Sequence, residues 1–350
     1  MSSELIQALG EIEKERGIPK EVLVEAIESA LRTAYKKNFG SLQNVTVQMD
    51  MESGEVKVYA KKTVAETVKD ERLEVRLAEA REIYPEVEIG DEIDVEVTPA
   101  DFGRIAAQTA KQVVIQRLRE AERSIVFNEF SNRAGEIVTG TVQRVEQKTV
   151  IINLGRTEAL MGSQDQIPNE AYEPGQRIKA YISEVKRSAK GPQIFLSRTH
   201  PNFLKRLFEL EVPEIYEGLV EIKSIAREAG SRSKISVYSR NEKVDPVGAC
   251  VGPKGLRVQN IVRELNGEKI DIIKWSPDIE QYIANALSPS KVVSVEASES
   301  EKMARVVVPD YQLSLAIGKE GQNARLAAKL TGWKIDIKSE SQVEAVRGGI

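Results

Sequence analysis

The chain opens with apolar residues at helical spacing. Leu5, Ile6, Leu9 and Ile12 share one face, and after Pro19 the series Leu23, Ile27, Leu31 and Tyr35 repeats the spacing. The first forty residues therefore predict two amphipathic helices. The period then drops to two. In NVTVQMDMESGEVKVYAKK, Val45, Val47 and Met49 alternate with polar residues, Glu-Ser-Gly turns the chain, and Val56, Val58 and Ala60 alternate back, which predicts a hairpin. A strand is expected at Ile93–Val97, and a long helix from Asp101 with Val114, Leu118, Ala121 and Ile125 on one stripe. Glu92, Asp94 and Glu96 alternate with Ile93, Val95 and Val97, so this acidic run reads as a solvated strand face, not a metal site.

Residues 133–199 carry five short alternating stretches separated by glycines and turn residues. This is the pattern of a small closed barrel of the oligonucleotide-binding kind. The stretch RVEQKTVIINLGRTEALM offers no aromatic ring for a base to stack on. Its exposed groups are expected to be Arg144, Lys148 and Arg156, with Lys179, Lys186, Arg187 and Lys190 further on. Such cations can follow phosphates without reading bases, which describes a weak, sequence-tolerant RNA surface; a spacer or protein-docking module is the alternative.

The remainder contains a repeat. VGPKGLRVQNIVRELNGEKIDII from Val251 matches IGKEGQNARLAAKLTGWKIDI from Ile317, with Gly252 and Gly318 lying 66 residues apart and Gly267 and Gly332 lying 65 apart. Each copy predicts the order αββααβ, and self-similarity of this length marks two copies of one folding unit. In each, Gly-x-x-Gly joins two helices. Glycines at both ends let a nucleic-acid backbone approach the main chain, and the next helix offers free N–H groups and a positive dipole end to phosphate. This is the arrangement of a KH domain, whose loop clamps about four nucleotides. The candidate RNA-binding residues are Gly252, Pro253, Lys254, Gly255 and Arg257 in the first copy. In the second they are Gly318, Lys319, Glu320, Gly321, Gln322, Asn323 and Arg325. Pro253-Lys254 carries one positive charge and Lys319-Glu320 none, so unequal contributions are expected. Gly248–Gly255 lacks the Gly-Lys-[Ser/Thr] ending of a nucleotide P-loop, which excludes ATP binding there.

Composition narrows the class. With 350 residues, 41% hydrophobic and 30% charged, the chain is long enough for two to four globular domains. No apolar run approaches a membrane span, and the acid-containing start does not read as a signal peptide. One cysteine, Cys250, and one histidine, His200, preclude an internal disulfide and a Cys/His zinc cluster; no cofactor, metal or catalytic residue is indicated. The net charge of −4 is uneven: −8 over residues 1–130, +3 over 131–200 and +1 over 201–350. The acidic head suits a protein partner better than RNA; the alternative is that each domain simply has its own surface balance.

Gly135, Gly140, Val142, Val145, Leu154-Gly155, Gly175 and Ile194–Arg198 fall where an S1 domain places such residues. The motifs Asp101–Ala110, Val244–Gly252 and Ile317–Arg325, together with the domain order, make the whole chain resemble the NusA family of bacterial transcription factors. The resemblance implies a multidomain α+β protein: an N-terminal α/β domain over 1–130, an S1 (OB-fold) β-barrel over 131–200, and two tandem type II KH domains over 201–276 and 277–350. It implies a non-catalytic, cytoplasmic, monomeric factor with no membrane association. Residues 1–130 would bind core RNA polymerase near the RNA exit channel, and the S1 and KH domains would bind nascent single-stranded RNA, with other Nus antitermination factors as further partners. Pausing, termination and antitermination would be its outputs. Some family members add acidic repeats after the second KH domain; with the sequence running to Ile350, autoinhibition through such repeats is not expected. The alternatives are a KH/S1 factor in ribosome assembly or RNA processing, and a phosphorolytic exoribonuclease. The latter would require a large catalytic core and the reverse domain order.

Overall fold

The computed structural model describes residues 2–39 and 44–347, in two compact units, Met1–Ile125 and Val126–Ile350. The first unit begins with helices α1 (Ser2–Arg16) and α2 (Lys20–Phe39), the latter starting directly after Pro19. Strands β1 (Val45–Met49) and β2 (Val56–Ala65) form the expected hairpin. Strand β3 (Glu74–Arg76) and helix α3 (Leu77–Ile83) follow in a stretch that the sequence pattern leaves unassigned, and β4 (Glu92–Glu96) pairs antiparallel with β2. Ile6, Leu9 and Ile12 pack with Leu23, Ile27, Leu31 and Tyr35 against Val45, Val47 and Val58. The Leu5 side chain lies outside the described residues. Glu92, Asp94 and Glu96 are exposed, and Glu92 and Glu96 sit 3.3 and 3.9 Å from Lys61 and Lys57 on the neighbouring strand.

Helix α4 (Phe102–Asn132) begins in the first unit, where Phe102, Ala106 and Ala110 join the core. The expected stripe does not continue as a buried face: Val114, Leu118 and Ala121 are half-buried and Ile125 is 48% exposed. In the second unit its last turns supply Val126 and Phe130 to the core of a closed barrel. The barrel strands are β5 (Ile137–Glu146), β6 (Thr149–Asn153), β7 (Glu158–Met161), β8 (Arg177–Ser188) and β9 (Gly191–Ser197), in the order β5-β6-β7-β9-β8. Gly140 is required by proximity: a Cβ there would overlap Ile152 and sit 2.8 Å from Leu154.

Two αββααβ units follow. The first comprises α5 (Pro201–Glu211), the short α6 (Pro213–Tyr216), β10 (Val220–Glu228), β11 (Arg232–Ser239), α7 (Pro246–Val251), α8 (Leu256–Glu264) and β12 (Lys269–Lys274). The second comprises α9 (Ile279–Ala286), β13 (Ser294–Ser298), β14 (Met303–Val308), α10 (Leu313–Ile317), α11 (Gln322–Thr331) and β15 (Lys334–Ser339), with α12 (Glu340–Arg347) after it. Residues 348–350, including Ile350, lie outside the described residues. Each sheet has one antiparallel and one parallel pairing, β10-β11-β12 and β13-β14-β15. The registers repeat as well: Lys234 stands opposite Asp271 as Arg305 stands opposite Asp336.

The domains of the second unit are joined by buried polar contacts. Arg198, 3% exposed at the end of the barrel, makes a two-pronged bond to Glu170 at 2.5 and 2.6 Å and reaches the Glu264 carbonyl of the first repeat at 2.9 Å. Between the repeats, Ile235 and Val237 face the core of the first repeat, while Lys234 faces the second repeat. Fully buried, Lys234 donates to Asp271 at 3.0 Å and to the Ser288 carbonyl at 2.7 Å. Burial pushes the Asp271 carboxyl up, but Arg232 and Lys234 together hold it below the usual carboxylate range. Cys250 is buried in an apolar cluster, and burial pushes its thiol up to about 12, so it is a packing residue and not a nucleophile.

Candidate nucleic-acid interface

Both Gly-x-x-Gly segments adopt the same backbone path. In the first copy Asp245 caps α7 by accepting from the Val247 amide at 3.1 Å, and the helix ends at Gly252 with φ 72° and ψ 175°. A single 3₁₀ turn, Pro253–Gly255, leads into α8. In the second copy α10 ends at Gly318 with φ 77° and ψ 171°, and the turn Lys319–Gly321 leads into α11. The third loop residue is left-handed in both, Lys254 at φ 51° and Glu320 at φ 54°, as are Gly255 at 74° and Gly321 at 73°. Three positive φ angles in four residues reverse the chain sharply enough to bring the amides of the next helix's first turn beside the loop.

The four glycines are not equivalent. A Cβ on Gly252 would lie 2.6 Å from Arg257, and one on Gly318 would lie 2.8 Å from the Asn323 backbone nitrogen. Gly255 and Gly321 have room; only their φ demands glycine. Gly318→Ala should therefore cost about 2–3 kcal/mol, because its φ 77° and ψ 171° fall in a region essentially open only to glycine and the backbone beside it cannot move aside, whereas Gly321→Ala, in the ordinary left-handed region, should cost about 1 kcal/mol. Thermal unfolding of the two variants checks this; equal losses would show that neither the backbone conformation nor the contact beneath the loop sets Gly318 apart.

Of two further residues expected at the RNA surface, one is buried beneath it and the other is half-buried. Asn323 is 4% exposed, and its amide donates to the Leu287 and Ala316 carbonyls, each at 3.0 Å. Arg257, five residues after Gly252 as Asn323 is after Gly318, donates to the Ala249 carbonyl at 2.6 Å and to Glu214 at 2.8 Å. Each ties the start of the second helix to the end of the first, so these are struts that hold the turn. Both are polar, which on sequence alone reads as surface.

Lys254 and Lys319 are exposed, and among the described residues neither has a carboxylate within ion-pair distance. Gln322 and Arg325 differ. Arg325 grips Glu228 of the first repeat through Nε and Nη2 at 2.6 and 3.1 Å, and its Nη1 reaches the Glu320 carbonyl at 3.1 Å. Gln322 donates to Glu228 and to Ser231, both at 2.8 Å. The Arg325 bond, opposed by partial burial and aided by Gln322, holds the Glu228 carboxyl below its usual range. Sequence reasoning missed Glu228 because it lies 94 and 97 residues from its partners. It also missed Leu256, Tyr311 and Leu315, which are 54%, 76% and 45% exposed on the elements flanking the loops. Exposed apolar and aromatic side chains of this kind are surfaces on which bases can stack.

On the barrel, most of the cations expected to follow phosphates are already engaged. Arg144 bonds Glu146 and Glu158, Arg156 faces Glu129 at 3.8 Å, and Lys179 faces Glu264 at 3.3 Å. Lys186 lies 5.3 Å from the Phe195 ring centroid and Arg187 lies 4.3 Å from that of Phe127. The barrel thus has half-buried aromatic rings, but from β9 and α4, not from the strands where the sequence lacked them. No group of three or more His, Cys, Asp or Glu that could hold a metal occurs among the described residues, and no helix among them is long and apolar enough to cross a membrane.

A closed five-stranded barrel followed by two KH units defines a multidomain RNA-binding protein. Family models match in the same order: the NusA N-terminal domain over residues 4–124, the S1 RNA binding domain over 131–197, the NusA-like first KH domain over 198–275 and the NusA-like second KH domain over 279–345. The transcription termination/antitermination protein NusA of Halalkalibacterium halodurans is 62% identical over 98% of this chain and 90% of its own length. The protein of the same name from Bacillus subtilis is 62% identical over 97% and 92%, and that from Thermus thermophilus 46% over 96% and 89%. The chain belongs to the NusA family, transcription termination/antitermination proteins with RNA-binding S1 and KH domains.

Proposed function

We propose that this chain is a non-catalytic elongation factor of the cytoplasm, monomeric, and free of cofactor, metal and membrane. In this reading residues 1–130 attach it to core RNA polymerase. Residues 131–200, 201–276 and 277–350 receive the nascent single-stranded RNA, and the outputs are changes in pausing, termination and antitermination, shared with other Nus factors. The observation that carries the RNA half is the pair of matching loops, each with an exposed lysine that, among the described residues, has no carboxylate within ion-pair distance. The polymerase half is supported by family membership and by the −8 charge of residues 1–130, which disfavours RNA there. Weak RNA contacts suffice in such a factor, because tethering to polymerase raises the local concentration of transcript.

The test is retention of the full chain on immobilised core RNA polymerase at moderate salt, with single-stranded RNA binding measured separately against salt. Retention together with an RNA affinity that falls steeply with salt is expected. Binding to ribosomal subunits in preference to polymerase would move the chain to ribosome assembly; phosphate-dependent loss of RNA would make it a nuclease.

A further inference from the structure

We infer that Glu228 is a stand-in for RNA phosphate at the second Gly-x-x-Gly loop, and so restrains that loop from the neighbouring KH domain. The inference rests on the proposal that the loops bind RNA. Glu228 offers two anionic oxygens to the planar fork of Arg325 and accepts from Gln322, the first residue of α11. A phosphate group would present the same features: two oxygens, negative charge, a fit to guanidinium geometry. Arg325 stays 46% exposed on its outer side and also holds the Glu320 carbonyl, so it is bonded to the loop whose ligand it would contact.

The contact is asymmetric. At the first loop the corresponding carboxylate, Glu214, belongs to the same domain and pairs with Arg257, a strut beneath the turn. At the second loop the carboxylate comes from across the domain seam, at the end of β10, and Ser231 from the following turn fixes the Gln322 amide beside it. The local charge of the second loop is correspondingly low: Lys319 is offset by Glu320, and Arg325 by Glu228. RNA must displace Glu228 to gain Arg325. The second loop is thereby selective for RNA already held by the rest of the surface, and it resists polyanions that touch it alone.

The experiment is Glu228→Gln in the full chain, titrated with a fluorescein-labelled single-stranded RNA of about 20 nucleotides, enough to reach beyond one loop. The amide keeps the shape and removes the competing charge. Affinity is expected to rise about three- to fivefold, and the dependence of log K on log salt to steepen by about 0.7, one additional phosphate contact. Glu228→Ala must give the same gain, and adding Arg325→Gln to Glu228→Gln must remove it. Unchanged or weaker binding by Glu228→Gln with an unchanged melting temperature overturns the inference, as does a gain that persists without Arg325. Failure of the unsubstituted chain to bind RNA would instead overturn the RNA reading beneath it.

Discussion

Glu268→Ala is expected to lower the stability of the second unit by about 3–5 kcal/mol, the usual cost of removing one partner of a buried ion pair. Glu268 has no exposed surface, and the Arg227 side chain is 1% exposed. The carboxylate accepts from Arg227 Nε and Nη2 at 2.9 Å each, from the Gly230 amide at 2.9 Å and from the Ser233 hydroxyl at 2.6 Å. With Glu268 gone, the guanidinium keeps one bond, to the His200 carbonyl at 3.0 Å, and the Gly230 amide and Ser233 hydroxyl lose their common acceptor. The charge itself cannot be relieved, since arginine does not deprotonate. Urea unfolding followed by Trp275 and Trp333 fluorescence measures the effect, as both tryptophans lie in the repeats. Glu184→Ala, which removes a pair to Lys186 in the same unit with side chains 53% and 55% exposed, is the control and should shift stability by less than about 0.5 kcal/mol. Equal small losses from both variants would mean that Arg227 finds a new partner or water, and that the network is not the clamp its geometry describes.

The same residue shows where sequence reasoning reaches its limit. A glutamate between Gly267 and Lys269 reads as surface. Its counterpart in the second repeat, between Gly332 and Lys334, is Trp333, which is 6% exposed. One buried position is filled by a charge network in one copy and by an aromatic ring in the other, and only alignment of the repeats reveals it. Helices α1 and α2, the first hairpin, the barrel and both KH units were legible because burial on one face imposes period 3.6 or period 2 over many residues. Strand β3 and helix α3 were not. The strand has three residues, and α3 buries a single side chain, Ala80, which leaves no stripe to detect. The loops themselves were legible as Gly-x-x-Gly, but the roles of their neighbours were not. Arg257 and Asn323 sit at the same offset with different chemistry, and their internal bonds depend on a turn geometry that residue types do not encode. Contacts between domains, such as Gln322 to Glu228, carry no local signal.

Converting both loop pairs to acids, Pro253-Lys254 and Lys319-Glu320 each to Asp-Asp, is expected to reduce RNA affinity by about 100-fold or more while leaving the fold intact. The fold should survive because the loop backbone suits the new residues. Positions 254 and 320 have φ of 51° and 54°, a region in which aspartate is among the best tolerated non-glycine residues. Acids placed just before α8 and α11 also sit at the positive ends of those helices, which stabilises them slightly. None of the four replaced side chains is buried, and the struts Arg257 and Asn323 are untouched. What changes is charge. The first pair goes from +1 to −2 and the second from 0 to −2, at the points where main-chain amides would meet phosphate. Repulsion at two sites on one strand compounds, because an RNA held at neither loop retains only the barrel, whose cations are largely paired with neighbouring carboxylates or rings. Titration with single-stranded RNA, alongside circular dichroism and a melting curve, separates the two halves of the expectation. A folded variant with undiminished affinity would remove both loops from the RNA path and shift the site to the barrel. A variant that loses only half the effect when one pair is replaced would show the loops acting independently, whereas near-complete loss from either pair alone would show one RNA bridging both.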